Sequence, residues 1–153
     1  MRITIIIILI FTFIASSSNA EMLKPNPTLL AKEVISIQLS ALQKNDIPYK
    51  NAGIEQTWEF AHPNNRIFTG PLSNFINMMY SESYLVMLNH KFHNIIFVEE
   101  NNFKSFFFIE IIDKFNKKFG FQWIVEKVTS NNQFKNCWMT VGVSRPIFLS
   151  ERT

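Results

Sequence analysis

The sequence has few of the residues that mark a cross-linked or strongly charged protein. It contains a single cysteine, Cys137, so an intrachain disulfide is excluded and stability has to come from a packed core. Fifteen basic and twelve acidic residues leave a net charge of only +3, which gives no support to nucleic-acid binding. Glycine occurs four times, yet phenylalanine occurs 16 times and 47% of the residues are hydrophobic. This composition excludes a disordered chain.

The sequence also lacks an apolar run that would comfortably cross a membrane. The longest stretch, residues 3–15, has about 13 residues, whereas a spanning helix needs about 20. It follows the basic Arg2 and precedes small residues at positions −3 and −1 of a cleavage site. We therefore predict a signal peptide over residues 1–20, cut between Ala20 and Glu21, and an exported protein, periplasmic or secreted, that does not contact the membrane after cleavage. An uncleaved N-terminal membrane anchor is the alternative.

Helical periodicity is confined to the first half of the remaining chain. Apolar residues recur at helical spacing over 28–44 and 54–61 and again from Pro71 onward. A Pro-containing leader, 21–27, precedes the first helix. The segment 62–65 is predicted to end the second helix, because a residue that precedes proline resists the helical conformation.

From His90 onward the pattern becomes that of strands. Short polar turn clusters separate four runs rich in Phe, Ile, Val and Trp, at 91–99, 103–113, 119–128 and 134–143. Helices followed by an antiparallel meander predict the α+β class, with N-terminal helices packed on one face of a curved antiparallel sheet. We predict a single domain over 28–145 and a C-terminal tail over 146–153.

Side-chain alternation leaves apolar residues on both faces of the strand predicted at 103–113. We assign one face to the core; it carries Phe103, Phe107, Ile109 and Ile111. The opposite face is also apolar, and helices on one side of the sheet cannot cover it. We therefore predict a homodimer interface formed by Phe106, Phe108, Ile112 and Ile124.

Several segments resemble an uncharacterised family. They are Ile37-Gln38-Leu39-x-Ala41-Leu42-Gln43-Lys44-Asn45-Asp46-x-Pro48, Gly53-Ile54, Phe60-Ala61-x-Pro63-x-Asn65, Thr69-Gly70-Pro71, Phe75, Met78, Tyr84 through His90, and Cys137-Trp138-Met139-Thr140-x-x-Val143. Together they resemble the family called domain of unknown function 4864 over nearly all of residues 28–143. That family resembles the nuclear transport factor 2-like superfamily. The resemblance implies a curved sheet wrapped around helices with a conical pocket between them, and it implies no activity. His62 departs from the pattern, in which Ser is more usual.

A pocket in such a cone would combine apolar side chains with a few polar groups. The candidate pocket residues are Gln38, Trp58, Phe60, His62, Asn65, Arg66, Met78, Phe107, Trp123 and Trp138. The large apolar members either line a pocket or fill the core. Gln38 lies in the apolar stripe of the first helix, so its amide has to bond either a neighbouring loop, such as 69–71, or a ligand. His62 is either a donor at the pocket mouth or a cation at the end of the preceding helix; Arg66 meets either an anionic group or Glu59.

The titratable residues do not form a pattern typical of catalysis or metal binding. His90 and His93 are three residues apart, which on a strand sends them to opposite faces, so no metal site and no cofactor is predicted. Glu110 is the one mid-strand acid, and it would enter the cone only if the opposite sheet face were the inner one. Cys137 stands beside Trp138 in an apolar strand and is predicted to be a buried structural thiol.

Three functions remain open from the sequence. The first is an exported domain that binds an apolar small molecule in the cone, or a protein partner on the outer sheet, without catalysis. The second is a cofactor-independent lyase, isomerase or hydrolase that uses His62, Gln38 or Glu110. The third is a structural role as a homodimer. An internal cavity that reaches Gln38 is expected for binding, an acid or histidine at that cavity for catalysis, and a filled cone for assembly.

Overall fold

The computed structural model describes residues 21–151, so the predicted signal peptide lies outside the described residues. The helices are α1 Ala31–Gln43, α2 Ala52–Glu59, α3 Pro63–Thr69 and α4 Leu72–Met79, followed by a 3₁₀ turn at Leu85–Met87. The strands are β1 Phe92–Glu100, β2 Lys104–Ile112, β3 Lys117–Lys127, β4 Trp138–Val143 and β5 Ile147–Glu151. The α+β class is therefore confirmed. Within 21–151 no helix has the length and apolarity needed to cross a bilayer.

Helix α1 is the central helix of the core. Its buried residues recur at helical spacing: Ala31, Val34, Ile35, Gln38, Leu39 and Leu42. At its start the Glu33 carboxylate accepts a hydrogen bond of 2.7 Å from the Leu30 N–H, which satisfies one free donor of the first turn. The prediction of a helix from Thr28 begins three residues too early. The Asn26 side chain instead accepts the Thr28 N–H at 3.1 Å, and this bond closes a turn before the helix.

A helix occupies the segment where the sequence predicts a break. Pro63 is the first residue of α3, a position where its missing N–H costs nothing. His62 caps this helix, because its Nδ1 accepts the Asn64 N–H at 3.1 Å. α2 has already ended at Glu59, and the proline starts α3. No residue of α3 is fully buried, which explains why apolar periodicity gives no sign of it.

The sheet is an antiparallel meander in the order β1-β2-β3-β4, with β5 paired to β3. β4 and β5 pair with successive parts of β3: Glu126 lies opposite Met139 and Phe119 opposite Phe148. The prediction of a tail from residue 146 onward is wrong in this respect, because Ile147–Glu151 forms the fifth strand.

Burial separates the two faces of the sheet. Phe107, Ile109 and Ile111 are buried against the helices, together with Phe121 and Trp123 of β3. Phe103 does not belong to this face, because it lies in the turn before β2 and is 56% exposed. The predicted outer face is also found: Phe106, Phe108, Ile112 and Ile124 are only half-buried.

Asparagine supplies the left-handed backbone positions in this glycine-poor chain. Asn51, Asn89, Asn116 and Asn136 have φ angles between 55° and 68°, a region that few residues other than glycine adopt easily. At Gly120 the need for glycine is one of space. A Cβ on Gly120 would overlap the Phe108 ring, so this ring lies directly over the backbone of β3 on the outer face.

Candidate functional site

A cavity of about 150 Å³ lies between the helices and the inner face of the sheet. Its walls come from α1, the ends of α2 and α3, α4, β3 and β4. The apolar part of the lining includes Leu42, Phe75, Met78, Met79, Met87 and Trp123. The polar part consists of Gln38, Thr57, Asn65, Thr69, Tyr84 and Thr140. All polar groups in this lining are uncharged side chains.

Four of the ten predicted pocket residues line this cavity: Gln38, Asn65, Met78 and Trp123. The other six are placed elsewhere. Phe60, Phe107 and Trp138 are buried in the core. Trp58 packs against Phe75 with a ring-centroid distance of 5.1 Å. Which of the large apolar residues of the core also reach the cavity depends on tertiary packing and not on residue type.

The Gln38 side chain is the centre of a buried hydrogen-bond network. Its Nε2 donates to the Thr57 carbonyl at 3.1 Å, and its Oε1 accepts from the Thr140 hydroxyl at 2.6 Å. The Thr140 hydroxyl in turn accepts from the Trp123 indole N–H at 3.0 Å. The partners are thus the backbone of α2 and a side chain of β4, and not the loop at 69–71. Sequence reasoning missed Thr57 and Thr140, which carry no signal beyond their position among apolar neighbours.

Three further polar side chains complete the lining near α3 and α4. Asn65 donates to the Thr140 carbonyl at 3.4 Å, and the Thr69 hydroxyl donates to the Asn65 carbonyl at 3.1 Å. The Tyr84 hydroxyl donates to the Val143 carbonyl at 3.2 Å. Each of these groups therefore already holds a protein partner, and each hydroxyl oxygen still has lone pairs that can accept a hydrogen bond.

His62 does not line the cavity. Its side chain is 5% exposed, and its backbone N–H donates to the Thr140 carbonyl at 2.8 Å. Because Nδ1 accepts from Asn64, the proton of the neutral ring is on Nε2, and this atom is buried without a partner. Burial lowers the pKa of His62. The residue therefore caps the helix that follows it, and it is not a cation at the end of the helix before it.

Arg66 binds the end of α2. Its Nη2 donates to the carbonyls of Trp58 at 2.8 Å and Glu59 at 3.1 Å, and its Nε donates to Ala61 at 3.0 Å. The guanidinium also lies 4.7 Å from the Trp58 ring centroid. The Glu59 carboxylate pairs with Lys24 at 2.9 Å. Arg66 thus satisfies the C-terminal carbonyls of a helix, a role that neither of the two interpretations from the sequence included.

The two histidines near β1 contact each other, which corrects the prediction that they point apart. His90 Nε2 and His93 Nδ1 are 2.7 Å apart, and His90 Nδ1 donates to the Met87 carbonyl at 2.6 Å. Strand alternation does not apply here, because β1 begins only at Phe92. Burial lowers the pKa of His90 to about 4. Across residues 21–151 no three His, Cys, Asp or Glu side chains come close enough to hold a metal ion.

Glu110 and Cys137 also lie apart from the cavity. Glu110 bonds Lys118 at 2.6 Å on the outer face of the sheet, and this bond lowers its pKa. Cys137 is buried beside Val128 and Met139, and burial raises the pKa of its thiol. An unreactive thiol follows from that shift, since the thiolate is the nucleophile.

Comparison of the chain with protein families, with curated proteins and with solved structures returned no match. The function therefore has to be inferred from the geometry of the cavity and of the sheet.

Proposed function

We propose that the protein binds a small, uncharged and mostly apolar molecule in the cavity beside Gln38, without transforming it. The observation that carries this proposal is the composition of the lining, in which apolar side chains surround a few neutral donors and acceptors. Such a combination is typical of binding sites, where the apolar walls supply affinity and the polar groups fix orientation.

The size of the cavity limits the ligand. A volume of about 150 Å³ lies below the ~300–1,000 Å³ of pockets that bind drug-sized molecules. A cavity of this size holds a molecule such as benzene. A ligand with one six-membered ring and one polar substituent fits; its roughly eight non-hydrogen atoms, at about 0.8 kcal/mol each, give a dissociation constant of tens of micromolar.

The enzyme alternative receives less support from the same lining. General acid–base catalysis needs a titratable group within hydrogen-bond reach of the substrate. Of the three polar residues considered for catalysis, only Gln38 lines the cavity, and its amide does not titrate. His62 lies outside the lining, and Glu110 lies on the opposite face of the sheet.

Export and the cone-type fold belong to the same proposal. Export is inferred from residues 1–20, and its test is the N-terminal mass of the protein recovered from a secreting host. The resemblance to the nuclear transport factor 2-like superfamily gains support from an antiparallel sheet with helices and a cavity on one face. Both statements remain proposals.

The experiment compares two probes of equal ring size, benzyl alcohol and benzoate. The Trp123 indole N–H bonds Thr140 in the cavity wall, so its NMR resonance reports binding at this site. We expect a saturable shift with neutral benzyl alcohol and none with benzoate, because transferring a carboxylate into an uncharged site is costly. Equal shifts with both probes, or no shift with either, would contradict the proposal.

A filling variant supplies the control. Val143 lines the cavity beside Trp123, its partner in the sheet, and is only half-buried, so a larger side chain there extends into the cavity. Val143→Phe is expected to abolish the benzyl alcohol shift, whereas Val143→Ala is expected to keep it. Native mass spectrometry of protein purified from its own host then shows whether a neutral molecule of the same size class is retained.

A further inference from the structure

A second concavity lies on the helical layer, between α1, α2 and the leader that precedes α1. It has a volume of about 630 Å³, which is within the range of ~300–1,000 Å³ for pockets that bind small molecules. We call it the helix cleft. None of its lining residues also lines the cavity beside Gln38, so the two sites are separate.

Small residues form the floor of the helix cleft. Ala41 of α1 and Ala52 and Gly53 of α2 line it, and each is buried or half-buried. The two helices approach so closely here that a Cβ on Gly53 would overlap the Ala41 carbonyl oxygen. Small side chains at this crossing leave a groove between the larger side chains on either side.

The leader closes one side of the helix cleft and is held there by α2. Gln56 Oε1 accepts the Leu23 N–H at 2.7 Å, and Gln56 Nε2 donates to the Leu23 carbonyl at 2.9 Å. An ion pair of 2.9 Å between Lys24 and Glu59 adds a second attachment. Both backbone groups of Leu23 are thus fixed, and the side chains of Met22 and Leu23 form an apolar wall.

Large apolar side chains are exposed around the helix cleft. Leu23 of the leader is 54% exposed, and Ile47 and Tyr49 of the loop between α1 and α2 are 69% and 47% exposed. All three line the cleft. A single exposed apolar side chain is ordinary, whereas several that converge on one concavity indicate a binding groove.

The polar groups of the helix cleft form a row along α1. Ser36, Ser40 and Lys44 line it at four-residue spacing, which places them on one face of the helix. All three are exposed. Within residues 21–151 neither hydroxyl forms a hydrogen bond, and the Lys44 ammonium forms neither a hydrogen bond nor an ion pair. A ligand can therefore bind these groups without displacing a protein partner.

The charges of the helix cleft favour an acidic ligand. Glu21 and Lys44 are the charged side chains of its described lining. The proposed cleavage before Glu21 leaves a protonated α-amino group beside the Glu21 carboxylate at pH 7. These two charges offset each other, so Lys44 gives the cleft one net positive charge.

We propose that the helix cleft binds an apolar chain that ends in a carboxylate, with the carboxylate at Lys44 and the chain along the apolar walls. The Lys44 ammonium and the Ser40 hydroxyl supply hydrogen-bond donors to the carboxylate oxygens. The chain then lies between the leader and the loop that carries Ile47 and Tyr49. Each methylene that it buries raises the affinity up to about fourfold.

Three probes of equal chain length test the proposal: octanoate, 1-octanol and octylamine. The protein is recovered from a secreting host with ¹³C-labelled methionine methyl groups. Met22 lines the helix cleft. Three other methionines, Met78, Met79 and Met87, line the cavity, so the methyl NMR signals report the two sites separately.

We expect octanoate to shift the Met22 methyl signal saturably. It should bind about two- to fivefold more tightly than 1-octanol, the range for an exposed ion pair, and octylamine should bind more weakly than either. Lys44→Gln is expected to remove the preference for octanoate over 1-octanol. Lys50→Gln is the matched control and should keep that preference, because Lys50 is exposed in the same loop but does not line the cleft.

The outcomes distinguish this proposal from the one for the cavity. No shift of the Met22 methyl with octanoate overturns it, whatever the three cavity methyls show. Equal affinity for octanoate and 1-octanol, or tighter binding of octylamine, also overturns it. A preference for octanoate that survives Lys44→Gln contradicts the place given to the carboxylate and overturns it as well.

Discussion

Replacing Thr140 with valine gives a direct test of the buried network around Gln38. Valine has nearly the shape of threonine and suits a strand, and it leaves both backbone hydrogen bonds of residue 140 in place. It removes only the hydroxyl that accepts from Trp123 and donates to Gln38. Both partner side chains are at most 2% exposed, so bulk solvent does not reach the two groups that lose their partner.

The magnitude follows from the two groups left without a partner. An unsatisfied buried donor or acceptor costs about 1–3 kcal/mol, so two of them are expected to lower the free energy of unfolding by about 3 kcal/mol, after the gain from the added methyl. Thr140→Ser is the matched control. It keeps the hydroxyl and removes one methyl, which costs about 1 kcal/mol.

Urea unfolding followed by tryptophan fluorescence measures the difference. With a slope of about 1.5 kcal/mol per molar urea, the midpoint of Thr140→Val is expected about 2 M below that of wild type, and the midpoint of Thr140→Ser less than 1 M below it. A valine variant as stable as the serine variant would refute the reasoning, because losing the hydroxyl would then cost no more than losing one methyl.

Two further predictions concern stability. Burial holds the pKa of His90 at about 4, against 6.5 in the unfolded chain, so between those pH values only the unfolded state binds this proton. We therefore expect the protein to lose about 3 kcal/mol of stability as the pH falls from 6.5 to 4. Urea midpoints measured across that range should show a clearly smaller loss for a His90→Asn variant. Gly53→Ala is expected to destabilise the protein by several kcal/mol although alanine favours helices, because the added Cβ would overlap the Ala41 carbonyl oxygen. Gly142→Ala is the control and should be neutral, because a Cβ there meets no atom. Equal urea midpoints for the two alanine variants would contradict this prediction.

The sequence predicts the layers of the fold well because periodicity records burial. α1, α4 and β2 each bury one face, and their apolar residues recur at the corresponding spacing. Helix α3 buries no residue fully and is held by polar bonds such as those of Arg66. Such bonds do not recur at helical spacing and therefore leave no periodic signal in the sequence.

The candidate site was predictable only in part for a related reason. Gln38 stands out because a polar residue in an apolar stripe requires a partner. Thr140 is 102 residues away and was not identified, because its role depends on which residue of β4 lies beside α1. The contact of His90 with His93 was excluded by assuming strand alternation two residues before the strand begins.

The absence of formal charge in the cavity lining has a consequence for how binding responds to salt. Ionic strength screens interactions between charges, and binding of a neutral ligand beside Gln38 involves no charged side chain of the lining. Raising the salt concentration should therefore leave ligand affinity unchanged.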